Sequence, residues 1–436
     1  MERDTVLILG AGAAGLAAAE ALSQVGVAVM VLEARGRCGG RIYTRNSPVG
    51  ELPIELGAEF IHGARVSSWE WIQEAALPVH EVPAAHWRVT DGKLMREQDF
   101  WDEFAEIIPD VNEAVPDQDF QSYLERASGV SASVKQLAKD FVEGFHAAAA
   151  DRIGIRALAT AAAASARDQG DRQFRITAGY SALVEWLLQG LAQRPVTIHL
   201  NTVVQTLRWR PGRVEVLAQT LEGARTFEAV RALITLPLGV LQATGAGAVR
   251  FEPELEEKRS AIQGLAMGEV VKLVLQFRAR FWPVANFGFI HAPAEDLPTW
   301  WSDERGPLLT GWTGGPRAER LERQSPEEVL RRALNTVARL FGKEPQQVRE
   351  LLVAHFRHDW GNDPFARGAY SYTPVGMIEM PQRLGAPIAD TLFFAGEATD
   401  SSGEEGTVQG ALASGRRAAG EMVRSHRNAL AGLGNR

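Results

Sequence analysis

Cysteine, excess positive charge and long apolar runs are missing or scarce in this chain of 436 residues. Its one cysteine, Cys38, excludes an internal disulfide and is typical of a protein in a reducing compartment, so a cytoplasmic location is expected. Acidic residues outnumber basic ones by 54 to 46, for a net charge of -8, which argues against nucleic acid as a partner. No apolar run is long enough to cross a bilayer, so no membrane partner is expected.

What the chain does contain is a strand–helix–strand pattern close to Met1. Thr5–Leu9 and Val27–Leu32 are rich in strand formers, and Ala13–Gln24 between them is rich in helix formers. The pattern predicts a βαβ unit.

Three glycines lie where the first strand gives way to the helix. Gly10 permits the tight turn, Gly12 lets the backbone approach a pyrophosphate, and Gly15 allows close packing of helix and strand. The helix N-terminus offers unpaired N–H groups to phosphate. Glu33, at the end of the second strand, is placed to bind a ribose diol. The pattern predicts a dinucleotide site, and a glycine-rich turn that binds nothing is the alternative.

The residues after Glu33 favour FAD over NAD. The segment Ala34–Arg41, ARGRCGGR, contains two more glycines, Gly39 and Gly40, and ends in a basic residue. A plain NAD site lacks this second phosphate cradle.

The rest of the chain alternates helical and strand patterns without an internal repeat or a low-complexity linker. A mainly helical region is predicted from about Val66 to Ala166, with helices at Phe100–Ile108, Val134–Ala150 and Ala157–Ala166. Strands are predicted at Val196–Leu200, Arg213–Ala218, Ala232–Leu236, Glu269–Phe277 and Leu392–Ala395, and further helices at Pro326–Leu340 and from Thr407 to Ser425. This is the pattern of an α/β protein with interleaved domains.

One lysine lies where a charge is out of place. Lys272 is in the middle of the apolar run Met267–Phe277, with valine or leucine on both faces of the predicted strand. Lysine is almost never fully buried without a partner. Either this is an edge strand whose lysine reaches solvent, or the interior needs an amine. In the second case we expect the loss of hydration to favour an uncharged amine that can handle protons.

Motifs along nearly the whole chain resemble the flavin-dependent amine oxidases, which include monoamine oxidases, polyamine oxidases and flavin histone-lysine demethylases. Their number and order make the resemblance specific, and they come closest to the polyamine oxidases. The motifs are GAGAAGL and EARGRCGGR near Met1, ELGAEFIHG at Glu55–Gly63, FRITAGYSALVEWL at Phe174–Leu187, ITLPLGVL at Ile234–Leu241, GEVVKLVLQF at Gly268–Phe277, WGNDPFARGAYSY at Trp360–Tyr372 and FFAGEATDSSGEEGTVQGALASG at Phe393–Gly415.

The resemblance implies a Rossmann-type FAD-binding domain, with its βαβ unit and GxGxxG motif, interleaved with a substrate-binding domain of mixed sheet and helices. The FAD-binding domain is expected at 1–80, 171–255 and 363–436, and the substrate-binding domain at 81–170 and 256–362. FAD is expected to be non-covalent, because Ala369 stands where monoamine oxidases attach it through cysteine. The expected FAD-binding residues are Gly10, Gly12, Ala14, Gly15, Glu33, Ala34, Arg35, Gly39, Gly40, Arg41, Leu56, Gly57, Ala58, Glu59, Val204, Gly396, Glu397, Thr407 and Val408.

Four catalytic residues follow from the resemblance. Lys272 matches the lysine that holds a water against flavin N5, and Tyr370 matches the aromatic residue beside the substrate face of the flavin. Thr407 takes the position opposite, where monoamine oxidases have tyrosine and the demethylases threonine. His62, in FIHG, falls where spermine and acetylpolyamine oxidases carry a histidine. Independently, Thr407 is a good N-cap, and the N-terminus of its helix would stabilise negative charge on a reduced flavin.

Other features depart from the family pattern or leave a choice open. Glu59, Glu404 and Glu405 are carboxylates near flavin-lining segments that could attract an ammonium group, although for the last two a solvated loop is the alternative. The segment SSGEEG is one residue longer than the family spacing and lacks its usual aromatic residue. The long helical arm and accessory domain of the histone demethylases are not recognised, so a nucleosomal substrate is not expected.

The implied reaction is oxidation of a small-molecule amine to an imine, which water hydrolyses to a carbonyl, while dioxygen is reduced to hydrogen peroxide. Polyamine-type substrates are favoured, and primary monoamines come next. An L-amino-acid oxidase would need an arginine for the carboxylate, and Arg65, Arg175 and Arg367 are present. A flavin-dependent desaturase and a non-catalytic FAD-binding scaffold are more distant alternatives. No metal site is predicted, and the oligomeric state stays open.

Overall fold

The computed structural model describes residues 5–90, 93–97, 116–245, 247–283 and 287–434. The predicted helix Phe100–Ile108 lies outside these residues. The strands, in chain order, are β1 (Val6–Leu9), β2 (Val29–Leu32), β3 (Thr44–Asn46), β4 (Pro53–Glu55), β5 (Ile61–His62), β6 (Val79–Glu81), β7 (His86–Thr90), β8 (Lys93–Glu97), β9 (Gln173–Ile176), β10 (Val196–His199), β11 (Val203–Arg210), β12 (Arg213–Thr220), β13 (Gly223–Ala229), β14 (Arg231–Ile234), β15 (Arg250–Glu252), β16 (Ala266–Gly268), β17 (Val270–Phe277), β18 (Phe289–His291), β19 (Thr299–Asp303), β20 (Leu308–Gly314), β21 (Leu352–Phe356), β22 (Tyr370–Tyr372) and β23 (Leu392–Phe394).

One helix begins where the sequence offers both a cap and a proline. Ser325 accepts a hydrogen bond from the Glu328 N–H and is followed by Pro326, which fixes the start of the helix Pro326–Leu340 at the predicted residue, and the helix also ends as predicted. No helix of the described residues is long and apolar enough to cross a membrane. The helices are α1 (Ala13–Gln24), α2 (Ser68–Glu74), α3 (Phe120–Arg126), α4 (Ala132–Phe145), α5 (Ile155–Asp168), α6 (Ser181–Leu191), α7 (Leu238–Leu241), α8 (Glu256–Gly264), α9 (Gly315–Glu322), α10 (Pro326–Leu340), α11 (Pro345–Leu351), α12 (Met380–Gly385) and α13 (Val408–Gly434).

A parallel sheet of five strands, in the order β10-β2-β1-β14-β23, contains the predicted βαβ unit. All four residues of β1 are buried, as expected of a parallel strand that is covered on both faces. Helices α1, α6 and α13 pack on one face, where Leu16, Leu187 and Leu412 share an apolar core. The sheet β13-β12-β11-β15 covers the other face. The α/β class and the Rossmann-type unit are confirmed.

A second, mixed sheet of seven strands has the order β21-β17-β20-β19-β18-β7-β8. Its pairs are antiparallel except for β18 with β7. Strand β17 is buried along its whole length, and its Lys272 lies opposite Trp312 of β20. Helices α9, α10 and α11 pack against this sheet through residues such as Leu321, Leu334 and Val348.

The prediction of a mainly helical region from Val66 to Ala166 is wrong in its first part. Strands β6, β7 and β8 lie there, and β7 with β8 extends the seven-stranded sheet. The reason is non-local, because β7 pairs with β18, which lies far along the chain. The later part is helical, although the predicted helix Val134–Ala150 ends at Phe145 and the chain then turns at Ala147, which has φ +49°.

The strands of the two large sheets separate as the expected domain division requires. Every strand of the five-stranded sheet lies within 1–80, 171–255 or 363–436, and every strand of the seven-stranded sheet lies within 81–170 or 256–362. Strand β6 crosses the boundary at residue 80 and pairs with β9. The division into two domains stays a prediction.

Replacing Gly15 by alanine should disturb the packing of α1 on the turn after β1. A Cβ there would lie 2.0 Å from the carbonyl oxygen of Gly10, which cannot move away without moving the turn. We expect Gly15→Ala to lower the free energy of unfolding, measured by urea denaturation, by about 1–3 kcal/mol or more. Gly190→Ala in α6 is the matched control, because its Cβ would meet no atom within 4 Å. It should be neutral or slightly stabilising, and equal losses in both variants would contradict the packing role.

Candidate active site

A cavity of about 1060 Å³ lies between the parallel sheet and the seven-stranded sheet. This volume is slightly above the range of about 300–1,000 Å³ that is usual for ligand pockets. The cavity brings together nearly all the residues that the sequence predicted for cofactor and catalysis. The predicted residues that line it are Gly10, Gly12, Ala14, Glu33, Ala34, Arg35, Gly39, Gly40, Arg41, Leu56, Gly57, Ala58, Glu59, His62, Val204, Lys272, Tyr370, Gly396, Glu397, Thr407 and Val408.

Gly15 is the exception and does not line the cavity. It lies one turn inside α1, against the carbonyl of Gly10. This position fits the predicted contribution of Gly15 to helix–strand packing. It does not fit direct contact between Gly15 and the cofactor.

The N-terminus of α1 forms an open cradle at one end of the cavity. Gly12 is the N-cap, no side chain caps the helix, and a Cβ at Gly12 would meet no atom within 4 Å. Gly10 takes φ +110°, which glycine adopts without strain. Backbone N–H groups therefore face free space that a pyrophosphate fits.

Glu33 is held in place beside this cradle. One of its carboxylate oxygens accepts from the Ala11 N–H at 2.8 Å, and the other from the Arg35 N–H at 2.8 Å. Each oxygen keeps a lone pair for a further donor. The carboxylate is thus oriented for the two hydroxyls of a ribose.

The second glycine segment lies against the first. Gly39 forms a backbone bridge with Gly12, and both Gly39 and Gly40 take positive φ angles. Arg41 pairs with Glu397 at 2.9 Å and donates to the carbonyl of Ala369 at 2.8 Å. The predicted second cradle is therefore tied to the segments that lead to Tyr370 and α13.

Tyr370 and Thr407 face the other end of the cavity. The Tyr370 hydroxyl donates to the carbonyl of Phe145 at 2.7 Å, and burial raises the pKa of Tyr370 above its usual range, so the phenol stays protonated. Thr407 caps α13 as predicted, since its Oγ1 accepts from the Gly410 N–H at 3.0 Å. Gly406, next to Thr407, lies against the Tyr370 ring. The two predicted residues are thus neighbours.

Lys272, expected to be an uncharged amine, lies beside a buried carboxylate. Its Nζ lies 2.6 Å from Glu59 Oε2 and donates to the carbonyl of Gly57 at 3.1 Å. Burial alone would raise the pKa of Glu59, but the charges of Lys272 and Arg175 outweigh it and lower that pKa. An ionised carboxylate favours the ammonium form of its partner. Lys272 is therefore one half of a buried ion pair, and Glu59 is not free to attract a substrate.

Aromatic side chains that the sequence reasoning missed form the walls between Lys272 and the far end. Trp301 lies at the centre, with ring centroids 5.3 Å from Phe60, 5.9 Å from Phe289 and 6.0 Å from Trp312. These residues lie in strands or beside them, where an aromatic residue is usually core. The pair Trp300–Trp301 was the available signal, because neighbouring strand residues point to opposite faces of a sheet and the two rings must therefore lie in different environments.

Hydrogen-bond acceptors gather beside Thr407. Glu404 accepts from Gln409 Nε2 at 2.7 Å, and burial raises the pKa of Glu404 to about 7. Gln409 Oε1 and His62 Nδ1 are buried and have no hydrogen-bond partner among the described residues. Burial also lowers the pKa of His62 to about 4, so the imidazole is neutral near pH 7. Gln409 was not predicted, although it is only two residues from Thr407.

The two glutamates of SSGEEG do not lie in a solvated loop, which corrects that alternative. The Glu404 side chain is 16% exposed and lines the cavity. Glu405 accepts from Ser371 Oγ at 3.1 Å and Thr373 Oγ1 at 2.8 Å, and burial raises its pKa to about 8.

None of the three arginines considered for an amino-acid carboxylate lines the cavity. Arg175 is 1% exposed and its Nε lies 2.8 Å from Glu59 Oε1. Arg88 of β7 does line the far end, beside His86 and His291.

Known proteins share this fold. Putrescine oxidase in complex with putrescine superposes with a TM-score of 0.81 at 21% identity, covering 97% of this chain and 99% of that one. Cyclohexylamine oxidase from Brevibacterium oxydans IH-35A superposes with a TM-score of 0.81, covering 98% and 100%. At such identities the likeness shows the fold.

Relatives by sequence agree. Polyamine oxidase 2 of Arabidopsis thaliana is 28% identical over 459 residues, covering 95% of this chain and 87% of that protein. Lysine-specific histone demethylase 1 homolog 2 of Oryza sativa subsp. japonica is 29% identical over 454 residues. The match covers 98% of this chain, which spans only 58% of the demethylase homolog.

The family described as flavin containing amine oxidoreductase matches residues 13–423, which is nearly the whole chain. The open cradle at Gly12, the oriented carboxylate of Glu33 and the Arg41 segment fit the dinucleotide cofactor of that family. This chain belongs to the flavin containing amine oxidoreductases, and its cofactor is FAD.

Proposed function

We propose that this enzyme oxidises an amino group of a small polyamine to an imine, which water hydrolyses to a carbonyl, with dioxygen as the electron acceptor. The observation that carries the proposal is the group of acceptors beside Thr407, formed by Glu404, Gln409 Oε1 and His62 Nδ1. A buried carboxylate, a buried unpartnered amide oxygen and, in the tautomer that leaves Nδ1 unprotonated, the neutral imidazole of His62 match the N–H donors of an ammonium group. A polyamine supplies such a group in addition to the nitrogen that reacts.

FAD, held by residues such as Gly12, Glu33 and Arg41, would supply the redox chemistry, with the carbon next to the reacting nitrogen as the hydride donor and dioxygen as the final electron acceptor. The protein positions the substrate and excludes water from the site. Tyr370 and Thr407 lie side by side at the expected flavin face, and the Trp301 cluster walls the space opposite. The reacting amine must be neutral to give up hydride, so it belongs among the aromatic rings, while the charged nitrogen belongs at Glu404.

The similar proteins support this choice without deciding it. Polyamine oxidase 2 is a relative, and putrescine oxidase, whose structure holds putrescine, shares the fold. A primary monoamine is the second candidate, because the aromatic walls alone would suit it and cyclohexylamine oxidase shares the fold. An L-amino-acid oxidase would have to use Arg88, since Arg65, Arg175 and Arg367 do not line the cavity. We also propose that the chain forms two interleaved domains with the ranges predicted from the sequence, one that binds FAD and one that binds the substrate.

The test of the substrate class is a peroxide-coupled assay of the purified enzyme with spermine, benzylamine and L-amino acids. We expect the largest kcat/KM with spermine. Oxidation of benzylamine or of amino acids with no turnover of spermine would overturn the proposal. If no amine bleaches the yellow enzyme without oxygen, a desaturase or a non-catalytic scaffold is favoured instead.

Removing the charge of Glu404 should weaken polyamine binding. We expect Glu404→Gln to raise the KM for spermine about tenfold or more, the range for a lost hydrogen bond to a charged group, with little change for benzylamine. Since the pKa of Glu404 is about 7, the wild-type carboxylate is negative above that pH and neutral below it. The ratio of KM values for spermine and benzylamine should therefore rise as pH falls through about 7, and should be flatter in the variant.

The control for this experiment is Glu379→Gln, which removes a surface carboxylate that pairs with Arg383 outside the cavity. It should behave as wild type. Equal KM changes for spermine and benzylamine in Glu404→Gln would contradict the assigned contact.

Replacing Lys272 by methionine should separate cofactor binding from chemistry. Methionine keeps the length and apolar character of the side chain, and Glu59 keeps Arg175 as a partner, so FAD should stay bound. We expect flavin reduction, flavin reoxidation or both to slow by about 10²-fold in stopped-flow absorbance, a typical effect of removing one positioned hydrogen-bond donor or charge. Lys343→Met, outside the cavity, is the control. Unchanged rates in Lys272→Met would remove its assigned role.

Acid denaturation should release intact FAD into the supernatant. Ala369, which lines the cavity, cannot form a thioether, and Cys38 does not line the cavity. Burial also raises the pKa of Cys38 to about 11, so it is a poor nucleophile near pH 7. The measurement is the flavin absorbance of supernatant and pellet after precipitation. Flavin that stays with the protein would show a covalent link.

A further inference from the structure

Two cationic side chains and an indole, from three different strands, meet at Glu59. Lys272 Nζ of β17 lies 2.6 Å from Oε2, Arg175 Nε of β9 lies 2.8 Å from Oε1, and Trp301 Nε1 of β19 donates to Oε1 at 2.9 Å. Glu59, Arg175 and Lys272 are 8%, 1% and 5% exposed, so water screens these charges little. Such an arrangement lasts only when every charge has a partner.

Lys272 has the contacts of an ammonium ion. Its two polar contacts, the Glu59 carboxylate and the Gly57 carbonyl, are acceptors, and the centre of the Trp301 ring lies 5.8 Å from its Nζ. An ammonium has three N–H donors and no acceptor, so both contacts are satisfied and one N–H is left. Lys272 lines the cavity, and the remaining N–H is available to a group that binds there.

Among the charged groups around Lys272, Glu59 is the one on which the ammonium form of the lysine depends. Glu55 is the second buried carboxylate that acts on Lys272, but it accepts from Tyr180 N and Thr44 Oγ1, and burial raises its pKa to about 7. Arg175 is a fixed positive charge. Asp303 and Arg305 also act on Glu59, but they form an ion pair with each other and add little net charge. Without Glu59, Lys272 would stand near a guanidinium with no ionised carboxylate in contact.

We propose that Glu59, backed by Arg175 and Trp301, is a positioning residue that keeps Lys272 an ammonium ion and fixes the direction of its remaining N–H toward the cofactor. This rests on the proposed function in one respect, the placement of Lys272 beside the flavin. A constant positive charge follows from it, which favours negative charge on the reduced cofactor throughout the working pH range.

The test is the pH dependence of the absorption spectrum of the bound, oxidised flavin, without substrate. Glu59→Gln keeps the size of the side chain and an acceptor for Trp301, and removes the negative charge. In this variant we expect Lys272 to lose its proton at a lower pH than an ordinary lysine does. We expect a new spectral transition between about pH 6 and about pH 10, absent from wild type. It should vanish in the double variant Glu59→Gln/Lys272→Met, which identifies Lys272 as the titrating group.

Glu55→Gln is the matched control. It removes the neighbouring buried carboxylate, which does not contact Lys272, and should create no new transition. A Glu59→Gln spectrum that gains no transition, or a transition that persists in the double variant, would overturn the proposal. A purely structural contribution of Glu59 would change stability and flavin content without any Lys272-dependent transition.

A second measurement covers the case in which Glu59→Gln does not fold. The proposal then attributes the failure to an uncompensated charge at Lys272, so the double variant should recover soluble protein and a cooperative unfolding transition. Failure of the double variant as well would overturn it. Neither measurement uses a substrate. A Lys272-dependent transition in an enzyme that does not oxidise spermine would therefore refute the substrate class and leave the assignment of Glu59 intact.

Discussion

The ion pair between Lys272 and Glu59 is the interaction on which the site depends. Lys272 belongs to the seven-stranded sheet, while Glu59 lies in the segment that follows β4 and lines the cofactor cavity. Arg175, on the three-stranded sheet β5-β9-β6, holds Glu59 from the other side. Breaking a buried pair by removing one partner costs about 3–5 kcal/mol, because an uncompensated charge is left behind. The pair thus ties the seven-stranded sheet to the segment that contains Glu59 and lines the cavity.

Two helix N-termini open into the same cavity, and they are stabilised differently. Helix α1 begins at Gly12 without a side-chain cap, which leaves its N–H groups to a phosphate. Helix α13 begins after Thr407, whose hydroxyl already satisfies the Gly410 N–H. The first end can therefore bind an anion directly. The second contributes mainly its dipole, which acts on charge that develops nearby.

The sequence predicted the local features of the site well and the non-local ones poorly. Gly12 and Glu33 could be assigned because a turn and the residues flanking it carry their own signal. Lys272 could be singled out because a charge in an apolar strand breaks a local rule. Its ammonium state could not be predicted, because that depends on Glu59 and Arg175, which only the folded chain brings to it.

The same limit explains the missed strands. The βαβ unit forms between neighbours in the chain, so its pattern is visible in a short window. Strand β7 is stabilised by pairing with β18, and the sequence of its five residues does not indicate which strand it pairs with. Trp301 shows the same problem in a side chain, since it is recognisable as buried but not as a wall of the cavity. Residue propensities predict which secondary-structure element forms, whereas tertiary contacts determine where that element packs and what its side chains do.

The two glutamates of the cavity show why burial alone does not decide what a carboxylate does. Glu59 is in contact with two cations and an indole N–H, so its negative charge is balanced by groups of the protein itself. Glu404 has an amide in contact, and its nearest cation, Arg167, is 3.9 Å away and more than half exposed. Solvent screens that distant pair, so above its pKa of about 7 the ionised Glu404 keeps most of its negative potential for the cavity. Under the proposed function, selectivity for a cationic substrate would follow from Glu404, while Glu59 would act on the substrate only through Lys272.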